Sequence, residues 1–218
     1  MARKTQPKPL KKTPKKPRPE PTQVFLNVPF DEEYRDLLLA LVCSIVCIGK
    51  QPRSALEVRE TGIRRMEKIM DLIIGCGYSI NDLSRMPGGK GKLPRLNMAF
   101  ELGITYAMEY TKPGKYQWFL LESKLHRLSK TLSDLAGYDP RIHSNKPAAI
   151  IKIVVEWFKP LTEGFKFPTP KKVLKVFEDL KALIPKLREE HCGEPPFEEL
   201  VYAAGRIAEK KRVIPKPN

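Results

Sequence analysis

The chain has 218 residues, 40 Lys+Arg against 25 Asp+Glu, a formal charge of +15, a pI near 9.7 and a hydrophobic fraction of 41%. This length suits one α/β domain with a small appendage, and the apolar content suffices for a core, which excludes wholesale disorder. No run approaches the roughly 18 consecutive apolar residues of a spanning helix, and no apolar segment of signal-peptide type follows the basic N-terminus. The expectation is a cytoplasmic protein without a membrane span.

The charge is unevenly placed. Residues 1–21 hold eight Lys/Arg, one acid (Glu20) and six prolines, supplying +7 of the +15. That composition cannot build a core and predicts an extended, solvated tail. Such a tail either binds a nucleic acid or another anionic surface through phosphate contacts, or only keeps the chain soluble.

From Thr22 the pattern changes. Val24–Val28 reads as a short buried strand ended by Pro29, and Asp31 as the cap of a helix with Leu37, Leu38, Leu41, Val42, Ile45 and Val46 at helical spacing. Ser54–Val58 is a second strand candidate. Thr61 then caps a helix carrying Ile63, Met66, Ile69, Met70 and Ile73. A third strand spans Tyr78–Leu83, with Gly75 and Gly77 in the turn before it.

A glycine-rich segment, Pro87–Lys92, precedes a helix from about Arg95 to Glu109. It lacks the spacing of a phosphate-binding P-loop and reads as a cationic lid. Tyr116–Leu121 is a fourth strand. A short helix near Leu125–Leu135, a last strand near Arg141–His143 and a helix over Lys146–Phe158 complete the unit. Strands alternating with amphipathic helices imply right-handed crossovers and a mostly parallel sheet of about five strands, covered on both faces.

After a Pro/Gly/Phe-containing linker, Thr169-Pro170 starts a helix whose stripe is Val173, Val176, Phe177, Leu180, Leu183, Ile184 and Leu187. A second helix runs from Pro196 to Lys210. The division is thus a tail (1–21), an α/β domain (22–159) and a C-terminal helical hairpin (160–218). The hairpin either packs on the domain or serves as a dimerisation or docking arm, which leaves a homo-oligomer open.

Cys43, Cys47, Cys76 and Cys192 lack metal-ligand spacing and read as reduced, buried thiols, and His126, His143 and His191 carry no motif. No metal site is expected. In an open parallel sheet, ligands bind beyond the carboxyl ends of the strands, where strand order reverses. Three segments converge there: Asn27–Asp31, Asn81–Arg85 and Leu93–Gly103. Glu101 lies one to two turns into an otherwise apolar helix, and Asn97, four residues earlier, shares its face. A helix N-terminus favours an ionised carboxylate, as a nucleophile or oxocarbenium stabiliser requires. The bland alternative is a salt-bridged structural Glu. Gly103 would bring the helix close to the sheet. Glu57, Arg59 and Glu60 end the second strand, either near ligand or as an ion-pair set, and Ser133–Gly137 either touches ligand or merely caps and turns.

Three pieces of sequence, Val24–Asn27, Ser79–Arg85 and Asn97–Gly103, resemble the nucleoside 2-deoxyribosyltransferase and TIR-like superfamily of flavodoxin-like (Rossmann-like) three-layer folds. V-F-L-N-V-P-F-D, Y-S-I-N-D-L-S-R, L-P-R-L-N-M-A-F-E-L-G and S-D-L-A-G resemble, more narrowly, a bacterial family that brings no established activity, over about Gln23–Phe158. The D-S-G-T run of the transferases and the W-C-x-x-E stretch of many TIR domains are missing. The resemblance implies that Glu101 acts at the anomeric carbon of a ribosyl group as an N-glycosidic bond breaks. It implies that Asn27, Asp82, Ser84 and Asn97 line the sugar site, Asp82 or Asn97 holding the hydroxyls. Phe30 would stack on a base, and Arg85 or Arg95 would meet a phosphate.

The expected function is hydrolysis or transfer at the N-glycosidic bond of a nucleotide, with NAD or a nucleoside as substrate and no resident cofactor. The resemblance further implies a toxic effector in antiphage (antiviral) defence. Two alternatives stand beside it: a non-catalytic nucleotide-sensing module, and a nucleic-acid-binding protein led by its basic tail.

Overall fold

In the computed structural model, which describes residues 20–59, 61–86, 93–126, 132–135, 137–161 and 167–214, the sheet is all parallel. Its strands are β1 (Glu20–Asn27), β2 (Gln51–Ser54), β3 (Cys76–Asp82), β4 (Gln117–Glu122) and β5 (Arg141–Ile142), in the order β2-β1-β3-β4-β5. The helices are α1 (Arg35–Cys47), α2 (Ile63–Gly75), α3 (Leu96–Thr111), α4 (Pro147–Phe158), α5 (Pro170–Glu190) and α6 (Phe197–Lys210). This is the three-layer, flavodoxin- or Rossmann-like α/β arrangement that the alternating pattern implies.

The two faces follow from strand alternation. Val24, Leu26 and Ile80 turn toward α1 and α4, whereas Phe25 turns toward α2 and α3 with Ile69, Ile73 and Met108. α5 and α6 lie outside α1 and share its core through Val173, Val176, Leu180, Leu200 and Ala204. The hairpin therefore packs on the domain as an added helical layer. It also explains the composition of α1: the run Leu37–Cys47 is buried throughout, because sheet and hairpin cover opposite sides of it. Ser44, inside that run, donates its hydroxyl to the Ala40 carbonyl at 2.6 Å and so leaves no orphan polar group.

Several boundaries differ from expectation, each for a local reason. β1 begins at Glu20, so the chain enters the sheet before the tail composition ends. β2 is Gln51–Ser54, and the expected strand Ser54–Val58 is instead a 3-10 turn, Ala55–Glu57. Ser54 and Glu57 cap that turn reciprocally: Leu56 N–H donates to Ser54 Oγ at 3.2 Å, and Ser54 N–H donates to Glu57 Oε1 at 2.7 Å. Asp31 caps a 3-10 turn, Glu32–Tyr34, that leads into α1.

Thr61 does not cap α2. Gly62 stands at that position with φ of +68°, a conformation that glycine adopts without strain. α2 runs through Gly75 and β3 starts at Cys76, so Gly75 and Gly77 do not form a turn between them. Between β4 and β5, Ser133–Leu135 is a single 3-10 turn; the rest of the expected helix reaches into residues 127–131, outside the described set. The tail residues 1–19, the Gly/Lys segment 87–92 and most of the linker (162–166) also lie outside it. Among the described residues, no helix is long and apolar enough to cross a membrane.

Candidate functional site

Strand order reverses between β1 and β3, so the carboxyl ends of these strands form the switch point where open α/β sheets bind ligands. α3 enters beside it. Asn27, the last residue of β1, fastens the helix there: its Nδ2 donates to the Met98 carbonyl at 2.8 Å and to Asn81 Oδ1 at 3.1 Å. Asn81 in turn donates to Ser79 Oγ at 3.1 Å. Asn27 is 1% exposed and its amide is consumed in holding α3 on the sheet.

Glu101 follows Met98 by one turn on the same helix and is 6% exposed. Among the described residues no hydrogen bond or ion pair reaches it. Burial pushes its carboxyl up to about 7, while the positive charge of Arg65 in the first turn of α2 pulls the other way. Arg65 is itself anchored to the carbonyls of Val58 and Ala55, beyond the end of β2. Glu101 is thus a sequestered carboxyl that exchanges its proton near neutrality. A structural Glu with a committed salt bridge would behave in the opposite way, with its pKa held down.

Asp82 closes β3 on the other face of the sheet. It is wholly buried and its oxygens are engaged: Oδ1 accepts from Ser84 N–H at 2.9 Å, and Oδ2 accepts from the Tyr34 hydroxyl and lies 3.1 Å from His143 Nε2. Burial alone would raise its pKa, but His143, Tyr34 and the Ser84 bond outweigh that and hold it below the ordinary carboxylate value. Burial, reinforced by the same carboxylate, drives the Tyr34 phenol well above its usual value.

His143 is oriented by its own turn. Asn145 N–H donates to His143 Nδ1 at 3.1 Å, so the ring's proton resides on Nε2, facing Asp82. The turn His143–Lys146 carries Ser144 and Asn145 at φ of +50° and +56°, with Lys146 N–H closing it onto the His143 carbonyl at 2.9 Å.

Arg85 and Arg95 meet, but on a carboxylate of this chain. Asp31 Oδ2 lies 3.0 Å from Arg85 Nε and 2.6 Å from Arg95 Nη2, and Glu33 takes a further Arg85 nitrogen at 2.5 Å. The two guanidinium groups are about one-third exposed, so a ligand anion would compete with Asp31 for them. Phe30 lies on the loop after β1 and is 42% exposed, open for stacking. Ser84 is buried beside Asp82, and Asn97 faces solvent on the first turn of α3.

The structure thus gathers Asn27, Met98 and Glu101 on the α3 face, Asp82 and Ser84 on the α1 face, and Arg85 and Arg95 around Asp31. Asn97 and Glu101, four residues apart on α3, differ in burial: Asn97 is exposed on the first turn and Glu101 is buried. Gly103 is also displaced from its expected role: it lies on the outer side of α3, away from the sheet, where an added Cβ would meet nothing within 4 Å. Glu57 belongs to the structural ion-pair set, bonding Arg53 Nε at 2.8 Å, and Arg59 is exposed.

The strand-end groups Glu122 and His143, and Tyr34 in the turn before α1, were missed by the sequence reading. Glu122, the last residue of β4, is 1% exposed and accepts from Ser123 N–H at 2.8 Å. The signal available was their position: Glu122 and His143 each stand at or just beyond the carboxyl end of a strand. Cys43, Cys47 and Cys76 are buried, as expected, but Cys192, expected to be buried as well, is exposed; burial pushes Cys47 and Cys76 up to about 12.

Two surface hollows among the described residues lie away from Glu101. One, of about 190 Å³, is walled by Trp118, Tyr138 and Trp157 at the β4 edge; the other, of about 330 Å³, lies along Arg206–Lys210 of α6. Neither contains a strand-end carboxylate, so the site is assigned on chemistry and topology. In comparisons with known proteins, no family model matches the chain and no curated protein matches it.

Proposed function

We propose that the protein cleaves or transfers the N-glycosidic bond of a nucleotide or nucleoside, NAD among them, with Glu101 as the group that acts at the anomeric carbon. The observation that supports this reading is the placement of Glu101: a sequestered carboxyl, unpaired among the described residues, on the helix beside the β1/β3 switch point, with its pKa near 7. In its ionised form the carboxylate either bonds to the anomeric carbon or stabilises the oxocarbenium ion. The carbon–nitrogen bond breaks with its electron pair on the departing base, and water or a second base completes the exchange. Phe30 supplies an exposed ring for the base, and displacement of Asp31 would free Arg85 and Arg95 for a phosphate. A role as an antiphage effector rests on the sequence resemblance alone.

The test is mass spectrometry of a mixture of nucleotides, nucleosides and NAD incubated with the wild-type protein and with Glu101→Gln. The reading requires released base with wild type and none with the variant. Unchanged substrates with both, under conditions where calorimetry detects nucleotide binding, would establish the sensing module instead.

A further inference from the structure

The outer face of α3 is apolar where a surface helix should be charged. Its exposed residues are Leu96, Asn97, Phe100, Gly103, Tyr106, Ala107, Tyr110 and Thr111, with no charge among them, in a chain that is 30% charged. The two acidic residues of the helix both turn away: Glu101 is buried, and Glu109 accepts from the Trp118 indole N–H. Leu96, Phe100, Gly103, Ala107 and Tyr110 recur at intervals of four and three, the spacing of a seam that packs along a second helix.

Gly103 stands at the middle of that seam. Its φ is ordinary and a Cβ would fit, so nothing among the described residues calls for glycine, which weakens a helix interior. Close approach of another backbone does call for it. The pattern is also self-complementary about this point. If two α3 helices cross antiparallel on a two-fold axis at Gly103, Leu96 meets Tyr110 of the other copy, Phe100 meets the small Ala107, and glycine meets glycine.

We infer that this face of α3 is the interface of a homodimer, with a second copy of this chain as its occupant. The area is adequate. With a large side chain at about 200 Å², the exposed parts of Leu96, Phe100, Tyr106 and Tyr110 come to roughly 480 Å² per copy. Two such faces reach about 1,000 Å², the area a specific interface must clear. The lack of charge on the helix face disfavours a polyanion or a charged peptide as occupant. The inference does not rest on the proposed glycosidic chemistry.

Sedimentation equilibrium and cysteine cross-linking of the full chain test it together. In a Cys192→Ser background, which removes the exposed thiol, Gly103→Cys should form an intermolecular disulfide on mild oxidation, because the two sites meet on the axis. Wild type should sediment as a dimer, and Ala107→Arg should weaken association at least tenfold while circular dichroism and melting show a folded monomer. A monomeric wild type at about 100 μM overturns the proposal. So does a dimer that ignores Ala107→Arg and gives no cross-link through residue 103.

Discussion

The Asp82 carboxylate and the His143 imidazole face each other at 3.1 Å, both wholly buried, across the carboxyl ends of β3 and β5. The ring is held in one tautomer by the Asn145 amide, and the carboxylate is completed by Tyr34 and Ser84. This network ties the loop after β5 and the start of α1 to the central strand, so the strand-end loops rest on a fixed polar base.

His143→Ala should therefore destabilise the protein by about 2 kcal/mol, the cost of leaving a buried carboxylate short of one polar neighbour. Asp82 has its pKa depressed in the folded state, so its contribution is present above the unfolded value and is lost as pH falls through the folded one. Without His143 the depression shrinks, and acid unfolding should begin at higher pH. Denaturant melts from pH 3 to 7 measure both effects; a loss under about 0.5 kcal/mol would place the network's strength elsewhere.

Glu101 titrates with the opposite sign. Its folded pKa of about 7 lies above the unfolded value near 4.5, so the folded state holds the proton more tightly. The stability this confers is complete below about pH 4.5 and is lost as pH climbs to about 7, a change of roughly 3 kcal/mol. Glu101→Gln should remove that slope and be the more stable protein at pH 8. Parallel stability–pH curves for the two proteins would rule out the shifted carboxyl.

If the ionised Glu101 performs the chemistry, base release by the wild-type protein should rise with pH through about 7 and then level, following the carboxylate fraction. Initial rates from pH 5.5 to 8.5 supply the profile. A rate that falls across this range would assign the reactive form to the protonated carboxyl.

Asp31 accepts the cap bond from Tyr34 N–H at 3.1 Å and holds Arg85 and Arg95 together. Asp31→Ala should cost about 1 kcal/mol, chiefly through the lost cap, since both guanidinium groups keep access to water. The same variant should bind pyrophosphate or a nucleoside phosphate more tightly, because Arg95 loses its internal competitor and Arg85 keeps only the exposed Glu33. Chemical denaturation and calorimetry read the two effects, and weaker phosphate binding would count against these arginines as an anion site.

Leu180, wholly buried between α5 and the domain core, tests how the hairpin is joined. Leu180→Ala should lower stability by about 2–4 kcal/mol in a single transition. Separate melting of the hairpin, with the sheet domain unaffected, would show two cooperative units.

Sequence alone determined the α/β class, the strand–helix alternation and the hairpin, because hydrophobic period and helix starts such as Thr169-Pro170 are local properties. It also marked Glu101, since an acid on an apolar helix face stands out without any structure. Strand boundaries were less legible: Ser54–Val58 carries strand-like residues, but the Ser54–Glu57 cap turns the backbone into a 3-10 turn.

Tertiary structure alone decided which polar groups meet. Nothing local links His143 to Asp82, or Asp31 to Arg85 and Arg95, because those contacts depend on strand order and on which side of the sheet each residue points. The same packing left Glu101 without a partner among the described residues and turned Gly103 outward. Length and composition fixed what kind of core could form; the order β2-β1-β3-β4-β5 chose the neighbours that set each charge.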